Sequence, residues 1–341
     1  MSTLFVGLDV GSTTFHQVTM QPDGVIKLNR SFPMSESNLI KAFAGLGGDI
    51  HVHLEAGELA PWVRSIIAPL VTRVVISHPP ANAWIGKDPN KRDQLDAIKL
   101  ADLLRMNRVH PVYYSEQQSR REFKQLVQHH DDLTDQQIRL KYKIKARFRT
   151  QGVIVRGQQL FTRSGRGEVL SRVTSPQVRE AILQLYEVLD QTLTTQLAAQ
   201  KLMLRAAKSF PEVELFKAVP GIGPITACRF SAYIQTPHRF STVRKIWRYC
   251  RLGVSRRSSD GKLLSRPKLD PSGCGRLKDV TRKAFDAALR RKDDNMFKHA
   301  YERSLAGTHN KTHARLSVHR KFVSVLRAMW LTMTPYRDEM G

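Results

Sequence analysis

Four acidic side chains in the first hundred residues have the types and spacing that metal-dependent chemistry requires. Asp9 and Glu55 each end an alternating apolar segment that predicts a strand, in LFVGLDVGST and IHVHLEAGE. Asp93 and Asp96 stand three residues apart at the start of an apolar-periodic segment, so a helix would present both on one face. Clustered carboxylates are costly to bury without a cation, and Mg²⁺ prefers such an all-oxygen environment. The pattern therefore predicts that these four acids hold Mg²⁺.

Each acid also has an ordinary structural interpretation. Asp9 would be a strand-end acid, Glu55 would cap the following helix, and Asp93 and Asp96 would be first-turn acids favoured by the helix dipole. Their joint placement at two strand ends and one helix start favours the metal site over these separate roles. The neighbouring His51 and His53 are interpreted as structural histidines.

The elements that must position these acids alternate over the first 110 residues. Strands are predicted at 4–8, 15–20, 25–32, 50–55 and 73–77, and helices near 36–45, 61–71 and 93–106. The order β-β-β-α-β-α-β-α is typical of an RNase H-like fold. We assign residues 1–113 to this α/β domain.

The remainder is predicted to be mainly helical. Apolar periodicity over 115–150 and from Ser175 onward predicts two long helices around a loop at 151–170, which we expect to be mobile and to contact nucleic acid through Arg156, Arg163 and Arg166. The pair, assigned to 114–208, would be either a dimerising coiled coil or an intramolecular bundle. Further helices are expected near 277–291 and 314–332.

A Pro-Gly-Ile-Gly turn opens the third predicted domain, 209–341. This turn precedes an apolar helix, and a turn of this sequence between two helices resembles a helix-hairpin-helix element. In such an element the backbone N–H groups of Gly221 and Gly223 would bind a phosphate. The alternative is a tight helix connection without a ligand. Trp247 and Tyr249, among basic residues, would either stack on bases or pack in the core.

The charge distribution indicates a polyanionic partner. The formal net charge is +25, yet residues 1–100 hold nine basic and nine acidic residues, while 239–292 hold 17 basic and four acidic ones. No apolar run approaches the roughly 20 residues needed to cross a bilayer, and no signal peptide is evident, so we expect no membrane partner and a cytoplasmic location. Three cysteines without CxxC spacing indicate reduced thiols and argue against zinc.

Two adjacent serines provide a candidate nucleophile. Ser258 and Ser259 lie between Arg256-Arg257 and Lys262, and a serine needs nearby groups that activate it and stabilise developing charge. Those cations would orient a scissile phosphate. An ordinary solvated Arg/Ser loop is the alternative interpretation.

Taken together, the motifs LDVGST, HLEAGE, DQLDAIKLADLL, AVPGIGPITA and RLGVSRRSSDGK resemble the bacterial insertion-sequence-110 family of DEDD transposases, which is related to the Piv invertases. The resemblance implies a RuvC-like N-terminal domain that binds Mg²⁺ through Asp9, Glu55, Asp93 and Asp96. It also implies a nucleophilic serine, best matched by Ser259, in a C-terminal transposase domain. Arg256, Arg257, Lys262 and Arg266 would contact nucleic acid.

The same resemblance implies partners. Target and donor DNA would be joined under the guidance of a structured bridge RNA, by a tetramer built as a dimer of dimers and associated with the bacterial nucleoid. The Ser-Asp-Gly step replaces the family's serine-glycine step, which leaves Ser258 as the alternative nucleophile. A RuvC-like nuclease that uses activated water, and a non-catalytic packaging protein, are the alternative functions.

Overall fold

The structure is a computed structural model that describes residues 2–78, 93–256, 258–260 and 262–338. The chain forms two compact units, Met1–Tyr114 and Ser115–Gly341.

The first unit contains a mixed five-stranded sheet and three α-helices in its described part. Its elements are β1 (Thr3–Val10), β2 (Thr14–Met20), β3 (Ile26–Pro33), α1 (Glu36–Phe43), β4 (Asp49–Glu55), α2 (Ala60–Ile67), β5 (Arg73–Ser77) and α3 (Asp93–Arg105). The strand order is β3-β2-β1-β4-β5, with β1, β4 and β5 parallel and β2 antiparallel to both of its neighbours. The predicted element order is confirmed, and the sheet is consistent with an RNase H-like fold.

Strand alternation divides the apolar residues of this unit between two faces. Val6 and Leu8 of β1 pack with α1 and α2 in one buried cluster, whereas Val18 and Met20 of β2 pack with α3 in another. Because successive strand residues point to opposite faces, the two clusters lie on opposite sides of the sheet. Among the described helices of this unit, only α3, which carries Asp93 and Asp96, packs on that side of the sheet.

The second unit is mainly helical. Its helices are α4 (Gln118–Thr150), α5 (Arg163–Leu170), α6 (Pro176–Ala207), α7 (Pro211–Lys217), α8 (Pro224–Ile234), α9 (Val243–Tyr249), α10 (Gly275–Arg290), α11 (Met296–Thr308) and α12 (Lys311–Thr332). Helices α4 and α6 pack along each other, as predicted. One large core combines Phe123 of α4 and Met203 of α6 with the later helices, and a second core lies at the far end of the pair. The boundary at 208 stays a prediction.

Two sequence interpretations in this unit were wrong. Residues 163–170 form α5, which Thr162 caps by accepting from the Gly165 N–H; its two glycines hid the helical pattern. Arg166 is not available as a loop cation, because it makes two hydrogen bonds to Asp190 and lies over the Tyr186 ring. Helix α11 was not predicted at all.

Candidate active site

Asp9 and Glu55 lie side by side at the same end of the sheet. Strands β1 and β4 are parallel, and Leu8 pairs with Leu54, so Asp9 and Glu55 are the next residues along the two strands. Both acids line one cavity of about 290 Å³, together with Ser12 and Glu58. Parallel pairing thus brings together two acids that are 46 positions apart in the sequence.

The direction of α3 brings Asp93 and Asp96 to this end of the sheet. At the C-terminal end of α3, Arg105 donates to the Pro22 carbonyl oxygen at 3.3 Å, in the turn that follows β2. That turn lies at the end where β1 begins, because Met20 pairs with Phe5. Helix α3 therefore runs opposite to β1, and its first turn lies toward the end that carries Asp9 and Glu55.

Gly7 allows this close packing of helix on strand. A Cβ atom at Gly7 would lie 2.0 Å from the Ala97 carbonyl oxygen and 2.7 Å from the Ala101 nitrogen. Only glycine permits such an approach of two backbones. The LFVGLDVG motif thus sets the distance of α3 from the strand that bears Asp9.

His53 is a structural histidine, as the sequence interpretation held. Its ring is fully buried, with Nδ1 2.8 Å from the Leu100 carbonyl oxygen and Nε2 2.7 Å from Ser77 Oγ. Burial lowers the pKa of His53 below its usual value, which favours the neutral ring. His53 therefore joins β4 to both β5 and α3.

Asp9 and Glu55, both half-buried at one cavity, offer the carboxylate oxygens that a divalent cation prefers. Asp96 is half-buried on α3 and is not among the residues that line this cavity. Among the residues whose side chains are described, no group of three or more histidines, cysteines and acids is close enough to hold a metal ion. The side chain of Asp93, the fourth predicted ligand, lies outside that part of the structure.

The candidate nucleophile stands in the second unit, on a two-part hairpin that we call the serine arm, residues 254–269. At its base β6 (Val254–Ser255) pairs with β9 (Lys268–Leu269), and at its tip β7 (Ser258–Ser259) pairs with β8 (Lys262–Leu263). Asp260 has a φ of +49°, and Asp-Gly is a preferred sequence for a two-residue hairpin turn. Asp260 thus stands in the turn between the paired residues Ser259 and Lys262.

Ser259 is exposed directly before this turn and pairs with Lys262 across the hairpin. The arm's sequence has five basic residues and one acid, and Arg256 and Arg266 are exposed. Arg257 lies outside the described residues, as do the side chains of Ser258 and Lys262. Ser259 therefore has the access to solvent that attack on a polymer backbone requires.

The base of the serine arm is fixed to the helices. Asp270 accepts from Arg248 Nε at 2.7 Å and from the Ser272 N–H at 2.9 Å, and its own N–H donates to the Gly253 carbonyl oxygen. The hydrogen bonds from Ser272 and Arg248 hold the pKa of Asp270 below its usual value. A charged Asp270 thus closes the arm at the point where it leaves the core.

The two glycines of the Pro-Gly-Ile-Gly turn have different structural surroundings. Gly221 has a φ of +87°, and a Cβ there would lie 2.2 Å from the Ala284 carbonyl oxygen of α10. Backbone conformation and close packing therefore both require glycine at this position. Gly223 caps α8 and borders a cavity of about 310 Å³ that Lys217 and Arg291 also line. A phosphate-binding role stays a prediction for both.

Both aromatic candidates, Trp247 and Tyr249, pack against the core of the second unit. Its Nε1 donates to the Arg320 carbonyl oxygen and to Ser324 Oγ, both at 3.1 Å. Tyr249 packs against Phe240 within the same core.

The sequence analysis missed a buried ionic network beneath α8 and α10. Asp131 of α4 accepts from Arg229 Nε and from the Tyr233 hydroxyl, and Arg229 also donates to Asp279. Arg276 makes two hydrogen bonds to Asp135, one turn further along α4. No local motif marks these pairs, because their partners are about 50 to 140 positions apart.

Two family comparisons identify the class of enzyme to which this chain belongs. A family model described as a DEDD transposase of IS110 elements matches residues 6–150, and one described as a transposase of the IS116/IS110/IS902 family matches residues 213–302. The chain is a DNA transposase. It belongs to the IS110 family, whose two matches together cover more than half of its length.

A comparison with curated proteins found no match. Within the described residues, every helix is too short or too polar to cross a bilayer. Membership of the DEDD group implies dependence on a divalent metal.

Proposed function

We propose that this transposase cuts and rejoins DNA through a phosphoserine at Ser259, assisted by Mg²⁺ held by Asp9, Glu55, Asp93 and Asp96 of a RuvC-like domain. The observation that carries the proposal is the placement of Ser259, which is exposed beside the turn of a basic hairpin whose base is anchored in a helical core. An ordinary surface loop would not need this anchoring.

The chemistry is a pair of transesterifications. The Ser259 oxygen attacks a backbone phosphorus, its proton leaves to a base, and the bond from phosphorus to the departing sugar oxygen breaks as that oxygen takes up a proton. In the second step a sugar hydroxyl of the incoming strand attacks the phosphoserine and releases the serine hydroxyl. One phosphodiester is lost and one is formed, so the exchange needs no external energy source.

The residues around Ser259 supply orientation and charge. Arg256, Arg257, Lys262 and Arg266 would bind the phosphates that flank the scissile bond, and their cations would stabilise charge that develops on it. A bound divalent cation would polarise the phosphate and favour the serine alkoxide. Asp9 and Glu55 are suited to hold that cation because their strand positions are fixed by the β1–β4 pairing.

The partners follow from the family and from the surface. The basic second unit would bind target DNA, donor DNA and a bridge RNA, with Gly221 and Gly223 as a further phosphate contact, and would work at the nucleoid. Exposed apolar residues of α4 and α6 support pairing of these helices with another copy, as part of a tetramer; they are Ile138, Tyr142, Leu183, Val188, Leu197 and Leu202.

The test is a reaction of the full chain with labelled donor and target DNA, with and without RNA transcribed from the DNA that flanks its gene. The proposal expects a protein–DNA adduct and joined product only when the RNA is present. Free cut ends without an adduct would instead support the water-dependent nuclease, and no product would support a packaging protein. Efficient site-specific joining by RNA-free protein would contradict the RNA guide.

A further inference from the structure

A second concave site lies in the helical unit, beneath the serine arm. It is a cavity of about 490 Å³ between the base of the arm and helices α10 and α12. Its apolar lining includes Val254 and Leu269 from the arm and Leu316 from α12. This volume lies within the range of roughly 300–1,000 Å³ that is usual for small-ligand sites.

The cations around the cavity differ in whether they already have partners. Arg282 donates to Asp279, and Arg315 lies 3.3 Å from Asp286. Lys268 and Lys278 are exposed and form no ion pair with any described residue. Two ammonium groups at the rim are therefore available to an anionic ligand.

The lining of the cavity includes exposed apolar side chains, which is unusual on so basic a surface. Val254 is 43% exposed and Leu269 is 38% exposed, and both line the cavity together with Lys268 and Lys278. Apolar surface left exposed beside cations complements a ligand that carries a flat, weakly polar group and a negative charge on neighbouring atoms. A nucleotide has both, in its base and its phosphate.

The concave shape decides between a paired and an unpaired nucleotide. A base within a duplex is covered by its neighbours on both faces, so it enters a cavity only after it leaves the stack. An unpaired nucleotide pays little of that cost and can place its base on side chains instead. The ligand is thus a nucleotide of a single strand, or one extruded from a duplex.

We propose that this cavity holds one unpaired nucleotide of the DNA or RNA substrate, with its base against Val254, Leu269 and Leu316 and its phosphate at Lys268 and Lys278. The inference deepens the proposed function and rests on it. Because Val254 and Lys268 belong to the paired strands at the base of the arm, a nucleotide bound there would anchor a strand close to the Ser259 hairpin.

The test measures binding of the full chain to short single strands that contain the fluorescent base 2-aminopurine, as DNA and as RNA of one sequence. Binding should raise the emission, because the base leaves its stacked neighbours. The double variant Lys268→Ala/Lys278→Ala should bind about tenfold more weakly at low salt. The log–log slope of its affinity against salt should fall by about 0.7, the amount for one phosphate of a single strand.

Two matched controls separate a site from general charge. Lys201→Ala/Lys208→Ala removes the same charge from exposed positions on and just after α6, and should weaken binding by less than a third as much. Thr312→Trp fills the cavity from an exposed position that lines it, and should abolish the emission change without altering the salt slope. Ser317→Trp, exposed on the same helix and not part of the lining, should leave both unchanged.

A response to only one of the two strands supports the site and identifies its source as DNA or RNA. Equal losses in the two lysine pairs would overturn the proposal, as would an unchanged signal in Thr312→Trp. Displacement of the probe by an acidic peptide as readily as by an unlabelled strand would also overturn it. Normal probe binding by a chain that forms no Ser259 adduct would refute the proposed chemistry while supporting the cavity.

Discussion

In the first unit the candidate acids stand on a packed sheet and its helix: Asp9 and Glu55 end two strands, and Asp93 and Asp96 lie in the first turn of α3. In the second unit, by contrast, Ser259 stands directly before the turn of an exposed hairpin. The acids are positioned by strand register and by the contact of α3 with Gly7. Ser259 is positioned by a two-residue turn and by hydrogen bonds at the base of the arm.

The two regions also differ in charge. Basic and acidic residues balance over residues 1–100, so the surplus of +25 lies in the remainder of the chain. A metal site requires ligands held within a few tenths of an ångström, which a packed sheet provides. A nucleophile for a polymer requires access and attraction to phosphate, which an exposed basic arm provides. On the proposed function, the chain meets these two demands with two different architectures.

The largest expected effect comes from removing an acid. Asp9→Asn or Asp96→Asn should lower recombination by about a thousandfold or more, because metal-based stabilisation of the transition state is lost. Without metal each variant should melt at the wild-type temperature or slightly higher, since crowded negative charge is reduced. Added Mg²⁺ should raise the melting temperature of the wild type only.

The control for this prediction is Asp23→Asn in the β2–β3 turn, which keeps the side-chain oxygen that accepts from the Val25 N–H. It should retain both activity and the Mg²⁺-dependent rise. Substantial recombination by both site variants would eliminate the metal-site hypothesis.

Gly7→Ala tests whether close packing holds the acids in place. The added methyl group would overlap the Ala97 carbonyl oxygen, so we expect a loss of about 3 kcal/mol in the free energy of unfolding of the first unit, together with lower activity. Urea titration provides the measurement. Gly47→Ala, where a Cβ would meet no atom within 4 Å, should change stability by less than about 0.5 kcal/mol. Similar stabilities for the two variants would contradict the packing argument.

A histidine in the second unit gives a pH-dependent effect of intermediate size. Burial, followed by the charge of Arg315, lowers the pKa of His319 from 6.5 to about 4. The unfolded chain thus takes up the proton at higher pH than the folded chain does. Stability contributed by neutral His319 is therefore full above pH 6.5 and is lost as pH falls toward 4, by about 2–3 kcal/mol.

Denaturation midpoints of wild type and His319→Gln at pH 7 and pH 4.5 measure the stability that neutral His319 contributes, because the other titrating groups are common to both chains. The difference between the two proteins should shrink at the lower pH. A difference that is constant with pH would show that His319 does not titrate in this range.

The smallest effect is expected at the turn of the serine arm. Asp260 adopts a left-handed conformation that asparagine tolerates and a β-branched residue does not. Asp260→Val should cost the hairpin about 1 kcal/mol and reduce adduct formation several-fold, while Asp260→Asn should be near neutral. Global melting should not change in either variant, since the tip contributes nothing to the described cores. Equal adduct yields would mean that this turn does not position Ser259.

Sequence patterns predicted the first unit well because its signals are local. Alternating strands, a Gln-Pro-Asp-Gly turn and strand-end acids are each visible within ten residues. The serine arm was not predicted, because strands of two residues have no periodicity and the pairing of Val254 with Leu269 spans 15 positions. Helix α5 was not predicted because its two glycines interrupt the helical pattern. The Asp131–Arg229 pair was not predicted because its partners are 98 positions apart in the sequence.

The sequence predicted which residue types form the candidate site, but it predicted only part of their spatial arrangement. The types at Asp9, Glu55 and Ser259 were evident, but the need for glycine at position 7 depends on the backbone of α3, about 90 residues away. The role that we propose for Lys268 and Lys278 could not be predicted from the sequence, because it depends on the cavity that they line and on their lack of an ion pair with any described residue.

The central claim is that Ser259 forms the covalent link to DNA, and mass spectrometry of the trapped adduct tests it most directly. DNA interrupted near the scissile bond would accumulate the intermediate, and proteolysis would release a peptide from 258–262 that carries a nucleotide. The account predicts the modification on Ser259, its absence in Ser259→Ala, and a weaker but still present adduct in Ser258→Ala. A nucleotide on Ser258, or undiminished adduct in Ser259→Ala, would contradict it.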